Sequence, residues 1–187
     1  MPAALTAEQK TADRELLLDA TEALIYANGV RAVGMDRVRE ASGLSLKRIY
    51  AIHPTKDELV VAMLRRRDQR WRGALAARVE TVDDPVARML AVFDWLGDWF
   101  AEPGFRGCLW INLHGELADA SPAVRAEVRA HKQAFRDQLA GWAGDIDPAT
   151  LDAIQLLAEG AIVTAGIDGD LSRVRSARAA AARLLAD

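Results

Sequence analysis

The residues able to do chemistry fall into three groups. In the first, Cys108, His114 and Glu116 lie close together, and a thiol beside an imidazole is the pattern of a nucleophilic enzyme. On one helix, however, six residues separate Cys108 from His114, about 9 Å of rise, which is beyond hydrogen-bond reach. His53, His114 and His131 are scattered, and no His-x3-His or Cys-x2-Cys pair offers a metal a ligand set. Neither a phosphate-binding loop nor a dinucleotide glycine pattern occurs. The sequence therefore points away from an enzyme and calls for no cofactor or metal. A second group is basic and hydroxylic: Arg37, then Ser45, Leu46, Lys47, Arg48 and Tyr50, then Lys56. Lysine and arginine reach guanine edges or phosphates, and a tyrosine hydroxyl bonds phosphate. The third is aromatic: Trp95, Trp99, Trp110 and Trp142, with Met89, Phe93 and Phe105 nearby. Apolar side chains with a few convergent polar groups are the usual lining of a small-molecule site.

The charge distribution supports the second group. The chain of 187 residues carries 24 Lys+Arg and 27 Asp+Glu, a formal net charge of −3. Between Asn28 and Arg72, eleven basic residues stand against five acidic ones, for +6, while the flanking segments are both acidic. A basic block in an acidic chain suggests a polyanion-binding surface, although Arg65–Arg72 also reads as a solvated helix face. Cys108 is the single cysteine, so no intrachain disulfide forms. No basic n-region followed by an apolar run opens the chain. The most apolar stretch, Leu151–Ile167, is interrupted by Asp152, Gln155 and Glu159, so the expectation is a cytoplasmic protein without a membrane span.

These groups must be positioned by helices. Leu16, Leu17, Ala20, Ala23, Leu24 and Ala27 recur at helical spacing, and Asn28-Gly29 stops that helix. Met35–Ala41 and Leu46–Ile52 are short helices joined by a turn at Gly43, with Ser45 as a cap and His53-Pro54 as a stop. Thr55, with Glu58 three residues on, opens a long helix to about Thr81. Pro85, Pro122 and Pro148 each sit at a helix start, after Asp84, Ser121 and Asp147. Further helices are expected over about Gly107–Ala118 and Leu171–Leu185. The fold class is all-α, with about nine helices. Two short helices around a glycine turn form a helix-turn-helix, with Val38, Ala41, Leu44 and Ile49 as its small core and Leu59 and Val60 closing it. Ser45, Lys47, Arg48 and Tyr50 then face outward on the second helix, where a recognition helix meets the major groove.

The stretch Gly43-Leu-Ser-Leu-Lys-Arg-Ile-Tyr-Ala-Ile-His-Pro-Thr-Lys-Asp-Glu-Leu59 resembles the signature of the tetracycline-repressor (TetR) family, roughly A-G-V-S-x-x-x-L-Y-x-H-F-x-S-K-E-x-L. Gly29–Val38 is similar to that family's preceding loop and second helix. Gly34 stands where a threonine cap is common, and His53 replaces the usual phenylalanine. The resemblance implies a DNA-binding domain over 1–54 and an effector-binding and dimerisation domain over 55–187. It implies a homodimer on a palindromic double-stranded operator, usually a repressor, though activators share the fold. A small-molecule effector, apolar or aromatic, would meet Trp95, Trp99, Cys108, Trp110, Asn112, His114 and Glu116. The last two helices would pair with those of a second copy through Ala158, Ala161, Ala165, Ala180 and Leu184. The remaining alternative is a helical small-molecule-binding protein or enzyme that does not bind DNA.

Overall fold

The computed structural model describes residues 6–117 and 119–186, and among them the chain forms nine α-helices and no strand. Helix α1, Ala7–Asn28, begins with a capping box in which Thr6 and Gln9 each bond the other's backbone N–H. Its buried stripe is Leu17, Leu18, Thr21 and Ile25, so the inward face is rotated from the one expected and Leu16 points to solvent. Helices α2, Met35–Ser42, and α3, Leu46–Ile52, meet at Gly43, whose φ of 69° is left-handed. Ser45 caps α3 by accepting from the Arg48 N–H. Helix α4, Lys56–Val79, opens with Thr55 accepting from the Glu58 N–H at 3.1 Å.

The later starts follow the proline punctuation. Helix α5 runs Pro85–Phe100 after Asp84, and α8 runs Pro148–Asp168 after Asp147. In both, the aspartate side chain accepts from backbone N–H groups of the first turn. Ser121 does the same for α7, Pro122–Trp142. Helix α6 is shorter than expected, Leu109–Leu117. Gly107 adopts a φ of 75°, which keeps 107 and 108 outside it, and Ala118 lies outside the described residues. Helix α9 spans Ser172–Leu184.

Packing divides the chain into two compact units. One comprises the chain up to Arg67 together with Trp110–Val128; the other comprises Asp68–Leu109 and the chain from Arg129 onward. Helices α4, α6 and α7 each contribute residues to both. In the first unit Val30, Val33, Val38, Leu44, Ile49, Leu59, Val60 and Met63 are buried. Ala41, expected in that core, is exposed; Ser42 is buried instead, its hydroxyl accepting from the Leu44 N–H at 3.4 Å. His53 is also buried.

In the second unit α8 packs on α9 and α5. At one point the backbones nearly touch: a Cβ on Gly166 would lie 2.8 Å from the Gly107 Cα. Length and composition alone would let α8 cross a membrane, with a mean hydropathy of 1.3 over its best window. The interrupting charges therefore do not exclude a span as the sequence reading expected. Core helices pass the same test, and here Leu151, Ile154, Ala158, Ala161, Ile162 and Ala165 of α8 are buried within the unit.

Candidate functional site

The helix-turn-helix lies wholly within the first unit. Of the residues expected to meet DNA, Ser45, Lys47 and Tyr50 are exposed on α3, Leu46 is half-buried, and Ile49 between them is fully buried. Lys47 and Tyr50 are one helical turn apart and share a face. Arg37 is exposed near the start of α2, where its guanidinium donates to the Ala32 carbonyl at 3.1 Å. Arg48 is placed differently: it forms an ion pair with Asp13 of α1, whose side chain is buried. That ion pair ties α3 to α1. Lys56 also turns inward, donating from Nζ to the Val30 carbonyl at 2.7 Å. Partial burial lowers its pKa, against the opposing attraction of Asp57 and Glu116.

Much of the basic block is neutralised by the fold. Arg65 pairs with Glu127, Arg66 with Glu15, Asp19 and Glu22, and Arg67 with Glu22 while lying 4.6 Å over the Tyr26 ring. These links fasten α1 and α7 to α4. Arg72 bonds Asp68 through both of its reachable nitrogens. Lys47 of α3 and Arg37 of α2 are exposed and take part in none of these pairs.

The expected effector residues are divided between the two units. Trp95, Trp99 and Cys108 belong to the second unit, while Trp110, Asn112, His114 and Glu116 belong to the first. Asn112 and His114 are exposed and Trp110 is buried. Cys108 precedes α6 instead of sharing its face, and Lys132 Nζ stands 3.4 Å from its sulfur while pairing with Glu159. Glu116 is engaged with the loop between α1 and α2: its Oε2 accepts from the Arg31 N–H at 3.0 Å.

Sequence reasoning missed the centre of the aromatic group. Trp71 of α4 stands edge-on to Trp95, Trp99, His131 and Phe135, with ring centroids 5.0–5.6 Å away. Trp95 and Trp99 stack on each other, and Phe105 closes on Trp99 at 5.1 Å. The Trp71 indole N–H is buried and has no hydrogen-bond partner among the described residues. Beside it, His131 Nδ1 lies 2.6 Å from Asp68 Oδ1. Burial alone would push the Asp68 carboxyl up. Hydrogen bonds with His131 and Arg72, and attraction to both, outweigh it and hold the carboxyl down at about 2. A signal was present in the spacing: Asp68, Trp71 and Arg72 share one face of α4, and His131, Phe135 and Gln138 one face of α7.

Comparison with known proteins bears on this arrangement. Residues 17–63, which hold α2, α3 and most of α1, match the family model described as bacterial regulatory proteins, tetR family. A TetR-family transcriptional regulator from Streptomyces coelicolor is 27% identical with a TM-score of 0.86, covering 97% of this chain and 92% of that one. Residues 17–63 carry a DNA-binding domain of the TetR family. A putative TetR regulator from Streptomyces avermitilis is also 27% identical, with a TM-score of 0.74 over 90% of this chain and 97% of that one. E. coli NemR in its reduced form shares the fold at 21% identity, with a TM-score of 0.80 over 91% of this chain and 95% of its own. A search of curated proteins found no match. Carrying that domain, this chain is a DNA-binding transcriptional regulator.

The residues expected at a TetR-type dimer interface all lie in the second unit and differ in exposure. Ala158, Ala161 and Ala165 are buried inside it, and Ala180 is half-buried. Leu184 is exposed. The apolar residues that α8 leaves uncovered are Leu156, 73% exposed, and Ile167, 81% exposed, with Gly160 and Thr164 between them.

Proposed function

We propose that this TetR-family regulator acts in the cytoplasm as a homodimeric repressor, released from a palindromic operator by an aromatic effector that carries a hydrogen-bond acceptor. The observation that carries the effector class is the buried Trp71 N–H, unpartnered among the described residues and walled by Trp95, Trp99, His131 and Phe135. An unsatisfied buried donor costs about 1–3 kcal/mol, and a ligand acceptor would recover it. Flat aromatic rings suit offset and edge-on contact with such walls. Effector binding would favour a form whose two recognition helices no longer match half-sites about 34–36 Å apart.

The test begins with duplex DNA selected by the purified protein from a random-sequence pool. Aromatic carboxylates, phenols and quinones are then screened for quenching of tryptophan fluorescence and for release of that DNA. A compound that does both, and fails to do either on Trp71→Phe, supports the reading. Release that is unaffected by Trp71→Phe overturns the assigned seat. A selected site without two-fold symmetry overturns the dimeric operator.

A further inference from the structure

We infer that Glu116 and Arg31 are positioning residues for DNA recognition: they clasp the last turn of α6 to the loop between α1 and α2, and so fix the seat of the helix-turn-helix without touching DNA. The clasp is reciprocal. The Glu116 carboxylate accepts from the Arg31 backbone N–H at 3.0 Å, and the Arg31 guanidinium donates from Nε and Nη2 to the Glu116 carbonyl at 3.0 and 2.7 Å. Helix α6 ends at Leu117, so that carbonyl is one of the last four, which have no donor within the helix. A guanidinium there also complements the negative end of the helix dipole.

The loop is shaped for this contact. Gly29 has a φ of 81°, and a Cβ on it would come within 2.8 Å of Glu116 Oε1. The carboxylate lies where any larger residue would put its side chain. The next residue is held as well, since the Val30 carbonyl accepts from Lys56 Nζ. Two consecutive loop residues, Val30 and Arg31, are thus fastened, the second of them four residues before α2. Helix α2 has no side-chain cap of its own, because its N-cap is Gly34. The clasp steadies the entry to α2 that a capping hydroxyl would otherwise secure.

Arg31 lies in the basic block, so its obvious alternative role is a phosphate contact. Salt dependence separates the two. Losing one phosphate contact lowers the slope of log K against log salt by about one; losing a positioning contact weakens binding without changing the slope. The experiment measures affinity for the selected duplex over a salt series for Arg31→Ala, Arg31→Lys, Glu116→Ala, Glu116→Gln and the Arg31→Ala/Glu116→Ala pair. Circular dichroism serves as the check on folding. Arg31→Ala and Glu116→Ala should each weaken binding about tenfold, a loss of the size expected for coupled partners. The salt slope should not change, and the double variant should be no worse than either single one. Arg31→Lys, which keeps the charge but not the fork, should behave as Arg31→Ala. Glu116→Gln, which keeps an acceptor for the Arg31 N–H, should retain most of the affinity. A reduced slope on Arg31→Ala with rescue by Arg31→Lys would make Arg31 a phosphate contact and overturn the clasp. Additive losses in the double variant, or no loss in either single one, would also overturn it.

Discussion

At the scale of single residues, His53 and Arg48 are bound into the first unit by burial and by charge. His53 stands where the family usually has phenylalanine, and it does the same work as a buried plug. Its Nε2 has no partner among the described residues, and burial, aided by the charge of Arg14 and opposed by Glu58, lowers its pKa from 6.5. The unfolded chain therefore binds the proton more readily than the folded one, and stability falls as pH drops below 6.5. His53→Phe should stabilise the protein by about 1 kcal/mol at neutral pH by removing an unpaired polar atom. That gain should widen as the solution is acidified through 6.5, since phenylalanine has no proton to take up; urea melts at several pH values measure it. A gain that shrinks on acidification would contradict this account of the site. Arg48 is the second case. Removing it leaves the buried Asp13 carboxylate unpaired, so Arg48→Ala should cost about 2 kcal/mol. The cost stays below that of a fully buried pair because the Arg48 side chain is 35% exposed. The Asp13→Ala/Arg48→Ala pair should lose less than the sum of the single changes, as read from thermal melts. In binding, Lys47→Ala should shift the preferred DNA sequence and Arg48→Ala should not, because only Lys47 stands exposed without an ion pair among the described residues.

At the scale of elements, the helices were legible because their ends are written locally. Asp84-Pro85, Ser121-Pro122 and Asp147-Pro148 each supply a cap and a fixed φ, and Gly29, Gly43 and Gly169 supply left-handed or open stops. What local sequence does not encode is which partner a charge will find. Arg66 reaching Glu15, Asp19 and Glu22, or Arg48 reaching Asp13, is decided by how α1 lies on the helices that follow it, over tens of residues. Trp71 was hidden for a related reason: it sits among arginines, and only the packing of α4 with α5 and α7 makes it the centre of four rings. The same distinction separates glycines with and without a neighbour. Gly166 of α8 faces the backbone of Gly107, where an added methyl would meet a Cα at 2.8 Å and has no flexible side chain to displace. Gly166→Ala should therefore destabilise by about 1–3 kcal/mol, despite the better helix propensity of alanine. Gly73 of α4 has open space around it, and Gly73→Ala should stabilise by about 0.5–1 kcal/mol. Thermal denaturation of the two variants side by side tests whether close backbone approach, and not helix propensity, sets the sign.

At the scale of the whole molecule, the outstanding feature is apolar surface that one chain leaves in water. Sequence reading put the small residues of α8 at the contact with a second copy, because small residues permit close approach. Ala158, Ala161 and Ala165 do permit it, but the approach is made within the same unit, where α8 packs on α9 and α5. The opposite stripe, Leu156, Gly160, Thr164 and Ile167, recurs at helical spacing and is open. Isolated exposed leucines need no explanation, but an apolar stripe along one helix marks an interaction surface. In a two-fold assembly each residue of that stripe counts twice, and fully burying a leucine or isoleucine is worth about 1.5–3 kcal/mol. Leu156→Glu and Ile167→Glu should therefore convert a dimer to a monomer in sedimentation velocity. Helicity and unit stability should stay nearly unchanged, since neither side chain packs inside its own unit. Binding to the selected duplex should fall with the dimer, because one recognition helix can engage only one half-site. Ala158→Glu should act in the reverse order, lowering the melting temperature before it affects association, because its side chain would be driven into a filled core. If Leu156→Glu and Ile167→Glu leave the sedimentation coefficient unchanged while operator binding is lost, the stripe serves something other than self-association, and the dimer must be sought on α9 at Leu184.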